Sequence, residues 1–476
     1  MLEFYEKYHP KSFISKSECL ADEMDLLVLN ENLNTIETEQ LHIPASYREK
    51  LPLELFTRLN NLYATFRGNH ASAHPLLKKY LPETRQEPQG ELLFADFFSG
   101  AGGLSQGLIY AGFQPAFVND HNTDALETYY FNHTLPLSRF FKGDIKDLLD
   151  NFLIYQHLFE KVKVVAGGPP CQGFSMANRR NFKLDIATAE KRFIEDERNK
   201  LYKYFVRLLG IIKPDFFIME NVKGMQKVKR QIEVDIREAT DVEYYFTHLR
   251  LDAQRFNVPQ SRDRYILIGG RDVFTLEQIG TSIKGMERSF SSYKLKDALF
   301  GLPAIGTNPV KRRPELEGEV HGFTIRKIPL EQNAFLQEIN KGETVTYLFN
   351  HKSRYNNEND LEIFRRLPEG ANSLHESIQE LNNYRNRDHI FKDKYYKLMQ
   401  DEVCRTITSH MKYDCHMYIH PSQARGLSPR EAARIQTFPD CYMFRGALND
   451  WYQQIGNAVP VKLAEVVANQ IYEHYR

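Results

Sequence analysis

Between Glu91 and Gly270 the chain repeats one pattern: a short apolar run, a polar turn, then a stretch with apolar residues every three or four positions. The runs ELLFADFF, PAFVND, KVKVVAGG and DFFIMENV have the length of strands, and the stretches between them have helical periodicity. Strands alternating with helices predict βαβ units, and so a parallel sheet covered by helices on both faces. YYFTHLRLDAQRF and DRYILIGG follow as a further pair. The NVPQSR between them reads as a turn, which predicts an antiparallel addition at the sheet edge. Residues 1–88 show helical periodicity in MDLLVLNENL and LPLELFTRLNNLYATF and end in the turn-rich HPLLKKYLPETRQEPQG, predicting a small helical extension and a linker. Residues 271–401 lose the rhythm and are rich in charged, Asn and Tyr residues, which fits a second, irregular domain. Order returns from 402. In SPREAARIQTF, Ser428 is placed as an N-cap, Pro429 at the first helical position and Glu431 as the partner that completes a capping box. The expected fold class is therefore α/β. A doubly wound, Rossmann-like sheet spans 89–270, an irregular domain 271–401, and a closing segment 402–476 brings a C-terminal helix back to the sheet.

Composition narrows the function classes. The chain has 476 residues with 62 basic and 62 acidic side chains, so it has no overall basic field, and a nucleic-acid partner would have to be held by local patches. Basic runs lie at Arg179-Arg180, Lys223 to Arg230, Arg262 to Arg264 and Lys311 to Arg313; each alone reads as a solvated face. No apolar run approaches the ~18 residues of a spanning helix. The start MLEFYEKYHPK lacks the pattern of a signal peptide, so a cytoplasmic protein without a membrane association is expected. The five cysteines, Cys19, Cys171, Cys404, Cys415 and Cys441, are odd in number and form no CxxC pair, which disfavours disulfides. CRTITSHMKYDCHMYIH gathers Cys404, His410, Cys415, His416 and His420, but in no common zinc spacing, so no metal is expected.

Chemistry concentrates at the ends of the predicted strands. FADFFSGAGGLSQGL follows a strand and opens a helix, yet Ser105 stands where a dinucleotide fingerprint requires glycine, and no phosphate-loop Lys-Ser/Thr pair follows. Asp96, Asp120 and Asp144 end the first three strands. Singly each reads as a helix N-cap or turn residue. Together, at one carboxyl edge, they would repel a pyrophosphate and suit a cationic, ribose-bearing ligand, which points to S-adenosylmethionine. The fourth strand ends in GGPPCQGFS, where prolines and glycines set Cys171 on a stiff, closely approachable stalk, and the fifth delivers Glu220 in ENV. A thiol and a carboxyl facing one crevice propose nucleophilic attack with acid assistance.

These residues resemble the DNA cytosine-5 methyltransferases, bacterial restriction-modification type. DFFSGAGG, PPCQGFS, ENV, QRFNVPQSRDRYILIG, RGLSPREAARIQTFPD and QIGNAVP match that family's motifs in order, from Leu92 to the C-terminus. The resemblance implies that Cys171 attacks C6 of a flipped cytosine in a specific duplex sequence, making C5 a nucleophile toward the methyl group of S-adenosylmethionine. It implies that Glu220 engages N3 and the exocyclic amine, and that Gln260, Arg262 and Arg264 order the pocket and hold the base and its phosphate. For the cofactor it implies Phe98 against adenine, Asp120 on the ribose, Asp144 and Ile145 at the adenine and Asn457 at the methionine end. Asp96, Ala101, Gly103, His121, Pro170 and Leu201 join the same site. His121 stands where some relatives carry tryptophan. FSMANRRNFKLDIATAEKRF, after Cys171, is expected to close over the flipped base, and residues 271–401 to read the DNA sequence as the target-recognition domain. The implied partners are double-stranded DNA and a cognate restriction endonuclease, with the chain itself a monomer. Two rivals are weighed: a tRNA methyltransferase of the same fold, whose Cys-Phe-Thr signature is absent here, and a catalytically idle DNA-binding module, against which intact Cys171, Glu220 and Arg262 argue.

Overall fold

A computed structural model describes residues 87–170 and 200–476, apart from 289–290, 312, 314–315, 319, 329, 346 and 383–393. The expected N-terminal helical extension lies outside these residues, as do Cys171 and the loop expected to follow it. Seven strands form the main sheet: β1 (Leu93–Phe97), β2 (Gln114–Asp120), β3 (Phe140–Lys142), β4 (Val162–Gly167), β5 (Phe216–Val222), β6 (Tyr245–Asp252) and β7 (Asp263–Gly270). Their spatial order is β3-β2-β1-β4-β5-β7-β6. The first five run parallel, and β7 inserts antiparallel between β5 and β6. The predicted doubly wound sheet with an antiparallel pair at its edge is thus present.

Crossovers carry α1 (Gly103–Ala111), α2 (Thr123–Asn132), α3 (Ile145–Asp150) with the short α4 (Phe152–Tyr155), α5 (Lys200–Ile212) and α6 (Lys229–Ala239). The strands read as continuous apolar runs because both faces are covered. Ala95, Phe97, Val165, Phe217 and Met219 pack in one core with Phe205 of α5 and Ile232 of α6. Alternate residues Phe94, Val164, Ala166, Phe216 and Ile218 face the other core, with Leu104 and Leu108 of α1. That second core also takes Leu276, Ile279 and Ile283 from α7 (Val273–Gly285), so the sheet unit runs past the boundary expected at 271. Strand rhythm stops there because the element is a helix.

Beyond α7 come α8 (Leu295–Leu299), β8 (Gly322–Lys327), α9 (Ala334–Ile339), β9 (Tyr347–Lys352) and α10 (Glu358–Arg366), with β8 and β9 paired antiparallel. The chain then forms α11 (Pro429–Ile435), α12 (Leu448–Asn457) and α13 (Val461–Tyr472). At α11 the predicted signals are all present: Ser428 Oγ accepts from the Glu431 N–H, the Glu431 carboxylate accepts from the Ser428 N–H, and Pro429 opens the helix. α13 returns to the sheet unit and lies against α1 so closely that a Cβ on Gly107 would fall 2.4 Å from Ala464 Cβ. Among the described residues no helix is long and apolar enough to cross a membrane.

The sheet topology decides where a site can form. From β1 the chain winds one way to β2 and β3, then returns to the other side of β1 as β4, so the switch point lies where Phe97 pairs with Gly167. The crevice outside these carboxyl ends is where open α/β sheets bind ligands.

Candidate active site

Glu220 and Arg264 meet because of strand register. Glu220 on β5 lies opposite Ile266 of β7, and Arg264 lies opposite Val222, so the two share a face as a diagonal pair within reach of long side chains. Arg264 Nε donates to Glu220 Oε1 at 2.6 Å, and the side chains are 14% and 13% exposed. The stalk that carries Cys171 passes beside this pair. A Cβ on Gly168 would lie 3.4 Å from Glu220 Oε2. The next residue is anchored to β5, where Asn221 Nδ2 donates to the Pro169 carbonyl at 2.8 Å. Gly167 has no room for a side chain, since a Cβ would sit 2.7 Å from the Phe97 carbonyl oxygen and from the Phe205 ring. Pro169 is buried and Pro170 exposed, so the chain, having left the sheet after Gly167, reaches the surface at Pro170, one residue before Cys171.

The arginines of QSRDR take different places. Arg262 is 2% exposed. Its guanidinium donates to the carbonyls of Ile407 at 2.5 Å, Gly456 at 3.1 Å and Ala458 at 2.9 Å. Gln260, wholly buried, donates to Gln436 Oε1 at 2.9 Å and accepts from the Ile407 N–H at 2.7 Å. The expectation that Arg262 holds the base and its phosphate does not fit this geometry. Its donors tie β7 to the 407 and 456–458 segments behind the cleft, and only Arg264 faces Glu220. Burial, and then the neighbouring Arg264, press the Arg262 guanidinium well below its ordinary range, which Glu220 opposes.

Around the β1 turn the chain adopts backbone that side chains rarely tolerate. Phe98, Gly100 and Gly102 have φ of 59°, 54° and 86°. A bulky aromatic held there is strained, and such strain clusters at ligand sites. Asp120, at the end of β2, accepts from the Gly100 N–H at 2.8 Å and from the Asn122 N–H at 2.8 Å. Oδ2, which takes the Gly100 N–H, keeps a further lone pair for a ligand, while Oδ1, which takes the Asn122 N–H, also faces His121 Nδ1. Among the described residues the space over Gly100 is open, with no atom beyond its chain neighbours within 4 Å of where a Cβ would stand. A half-buried ring, an open glycine and a held carboxylate at the switch point fit a cationic nucleoside. The Gly143 N–H donates to the Asp120 carbonyl at 3.2 Å, which brings Asp144 and the buried Ile145 to the same rim. Asp144 caps α3 by accepting from the Lys146 N–H, with its side chain exposed. His121 points outward, 82% exposed, 3.3 Å from Asp120. The hydrogen bond to Asp120 raises its pKa against the opposing effect of partial burial, with a smaller contribution from Asp144. Leu201 and Phe98 pack half-buried against one core. Asn457, exposed, ends α12 beside Ala458, whose Cβ would lie 3.1 Å from a Cβ on Gly103.

Asp96 is not a third rim carboxylate. It is 1% exposed and turned under the turn, where Oδ2 accepts from Ser105 Oγ at 2.6 Å and Oδ1 has no partner among the described residues. Burial pushes its pKa up to about 7. Ala101 and Gly103 serve packing: Ala101 is 2% exposed, and a Cβ on Gly103 would fall 2.6 Å from the Val459 carbonyl oxygen. Asn221, Ser105, Gln436 and Tyr442 are structural partners of the site that motif reading passed over. Of these, Asn221, Ser105 and Gln436 lay inside quoted motifs, Asn221 at a strand end and Ser105 read only as the residue that breaks a dinucleotide fingerprint, while Tyr442 lay outside them. The Cys/His segment is occupied by local contacts: His416 stacks on Tyr395 at 5.0 Å, and His420 Nδ1 accepts from the N–H groups of Ser422 and Gln423. Burial pushes the Cys404 thiol up to about 12.

A family model described as C-5 cytosine-specific DNA methylase matches residues 92–473. The type II methyltransferase M.DdeI of Desulfomicrobium norvegicum is 30% identical over 404 residues, covering 79% of this chain and 87% of its own. M1.HphI of Haemophilus parahaemolyticus is 30% identical over 384 residues, covering 80% and 86%. A solved structure described as a DNA modification methyltransferase encoded within an Escherichia coli prophage shares the fold, with a TM-score of 0.60, 24% identity and coverage of 80% of this chain and 99% of its own.

Proposed function

Because the chain belongs to the C-5 cytosine-specific DNA methylase family, and so methylates C5 of cytosine in DNA with S-adenosylmethionine, we propose that it does so in the β1/β4 crevice with Cys171 and Glu220 as the acting pair. The observation that carries the assignment is the Glu220–Arg264 pair beside Gly168, which sets an oriented carboxyl against the stalk of the nucleophile. A cytosine in a duplex must first leave the stack, at a cost of a few kcal/mol. Cys171 as thiolate then forms a bond to C6, and charge builds on the ring toward N3. Glu220 meets N3 and the exocyclic amine there, its position held by Arg264. Bound S-adenosylmethionine supplies an electrophilic methyl group. Loss of the C5 proton and cleavage of the C6–S bond restore Cys171.

For the cofactor, Phe98 would stack on adenine, Asp120 would take the ribose hydroxyls, Asp144 and Ile145 the adenine edge, and Asn457 the methionine end. Gln260 and Arg262 brace the pocket from behind. Residues following α7, including β8 and β9, would select the DNA sequence. The type II names of the relatives support a role as the modification enzyme of a restriction-modification pair, beside an endonuclease of the same specificity; the chain is proposed to act as a monomer.

Duplex DNA with 5-fluorocytosine at the target cannot release the C5 substituent. With S-adenosylmethionine it should trap the protein in a covalent complex that survives denaturation and is absent in Cys171→Ala. Normal adduct yield in that variant would remove Cys171 from the mechanism.

A further inference from the structure

The turn at β1 is held from outside the sheet unit. Ala101 packs in a core whose other buried members among the described residues, such as Leu295, Phe335, Ile435, Phe438 and Tyr442, come from after α7, with Tyr110 of α1 half-buried against it. Tyr442, 2% exposed, donates its hydroxyl to the Ala101 carbonyl at 2.5 Å, and His133 Nε2 lies 3.1 Å from the Tyr442 hydroxyl oxygen. The fit is tight enough to dictate sequence. A Cβ on Gly102 would fall 2.8 Å from Tyr442 Oη, at a residue already in the left-handed region.

Tyr442 in turn is fixed by the recognition side. Arg430, wholly buried, donates to the carbonyls of Tyr442 and Pro439 and, at 2.8 Å, to that of Phe349 on β9. Two residues on, Phe444 exchanges hydrogen bonds with Asn350 of β9: its N–H donates to Oδ1 at 2.8 Å and its carbonyl accepts from Nδ2 at 3.0 Å. Asn350 adopts φ 56° to make them. Between these, Met443 exchanges a matching pair with Asn132, the last residue of α2, at 2.8 Å each. Residues 442–445 are thus a strap clasped on one side by β9, on the other by α2, and joined through one hydroxyl to the strained turn.

We propose that Tyr442 is a positioning residue for the cofactor turn, and that the strap makes S-adenosylmethionine binding and engagement of specific duplex DNA by the recognition side strengthen one another. This rests on placing the cofactor at the β1 turn. Binding at either end favours one placement of the shared strap, so each ligand strengthens the other, and the coupling must be reciprocal. The strap reaches the cofactor turn through the Ala101 carbonyl and the recognition side through β9.

The test is calorimetric titration of S-adenosylhomocysteine into the full chain, alone and with the duplex identified by methylome sequencing of an expressing host, together with duplex affinity with and without S-adenosylhomocysteine. Tyr442→Phe should weaken S-adenosylhomocysteine binding by about 3- to 10-fold in the free protein, as expected for one buried hydrogen bond, and bring the mutual enhancement to within about twofold of none. Asn350→Gly keeps the left-handed backbone and cuts only the recognition side. It should leave free-protein affinity unchanged while losing the enhancement. Wild-type affinity and enhancement in Tyr442→Phe, with binding lost in Asp120→Ala, would overturn the proposal alone. Unchanged binding in Asp120→Ala would overturn the cofactor placement and the proposal with it.

Discussion

Glu220 and Arg264 meet at 2.6 Å with about an eighth of each side chain exposed, while Arg434 and Asp440 meet at 2.7 Å with none exposed. The chemistry of the two pairs is the same; what surrounds them differs. Arg434 and Asp440 satisfy each other twice over, with the remaining donors on the carbonyls of Ala298 and Phe300, and Asn340 completes the carboxylate. Arg425 and Glu431 repeat that arrangement at 1% exposure each. Such networks leave nothing for a substrate and hold α11 between its neighbours. At Glu220 one carboxylate oxygen is held and the other faces the open Gly168 backbone, so the pair is oriented yet unfinished. Placement in the fold, not residue type, separates a pair that acts from a pair that holds.

The largest effect should fall on the cleft. Glu220→Gln should slow methyl transfer about 10²- to 10⁴-fold, the usual range for a lost acid partner, with the thermal midpoint nearly unchanged; a collapsed midpoint would make it a holding pair after all. Arg434→Ala should do the reverse, costing about 3–5 kcal/mol in urea unfolding because Asp440 is left charged and buried. Replacing Arg434 and Asp440 together by apolar residues of similar volume sharpens the contrast, since stability should then recover most of that loss.

Asp96 extends the comparison to a buried carboxyl with no cation. Burial holds its pKa at about 7, above the 3.8 of an ordinary aspartate, so the native state keeps a proton that the unfolded chain releases. Stability from this group is present below pH 4 and is lost as pH rises through 7. Asp96→Asn lacks that loss and should gain on wild type by up to about 3 kcal/mol between pH 5 and pH 8, measured by unfolding at both. A gain in the opposite direction would place a cation beside Asp96. The smallest effect is expected at the cap of the buried network: Ser428→Ala should cost about 1 kcal/mol and leave methyl transfer intact.

Much of this molecule is legible in one dimension. The strands of the sheet follow from unbroken apolar runs, and the cap at Ser428 from three neighbouring residues, because both signals are local. The order of strand ends also brought Phe98, Asp120, Asp144 and Glu220 to one edge, since in a doubly wound sheet strand order dictates which loops converge. Other features answer only to packing between residues far apart in the chain. That Arg262 braces while Arg264 faces Glu220 depends on which side chain of β7 meets the carbonyls of 407, 456 and 458. That Asp96 turns inward depends on Ser105 and on α1 lying over it. That α7 belongs to the sheet depends on which core its apolar stripe enters, and periodicity reports a stripe without naming its partner. The tie from Tyr442 to Ala101 spans 341 residues of sequence, and no local pattern carries such a contact. Backbone conformation is chosen by neighbours in the chain, and so it can be read there; the burial and orientation of a side chain are chosen by neighbours in space, which only the folded structure brings together.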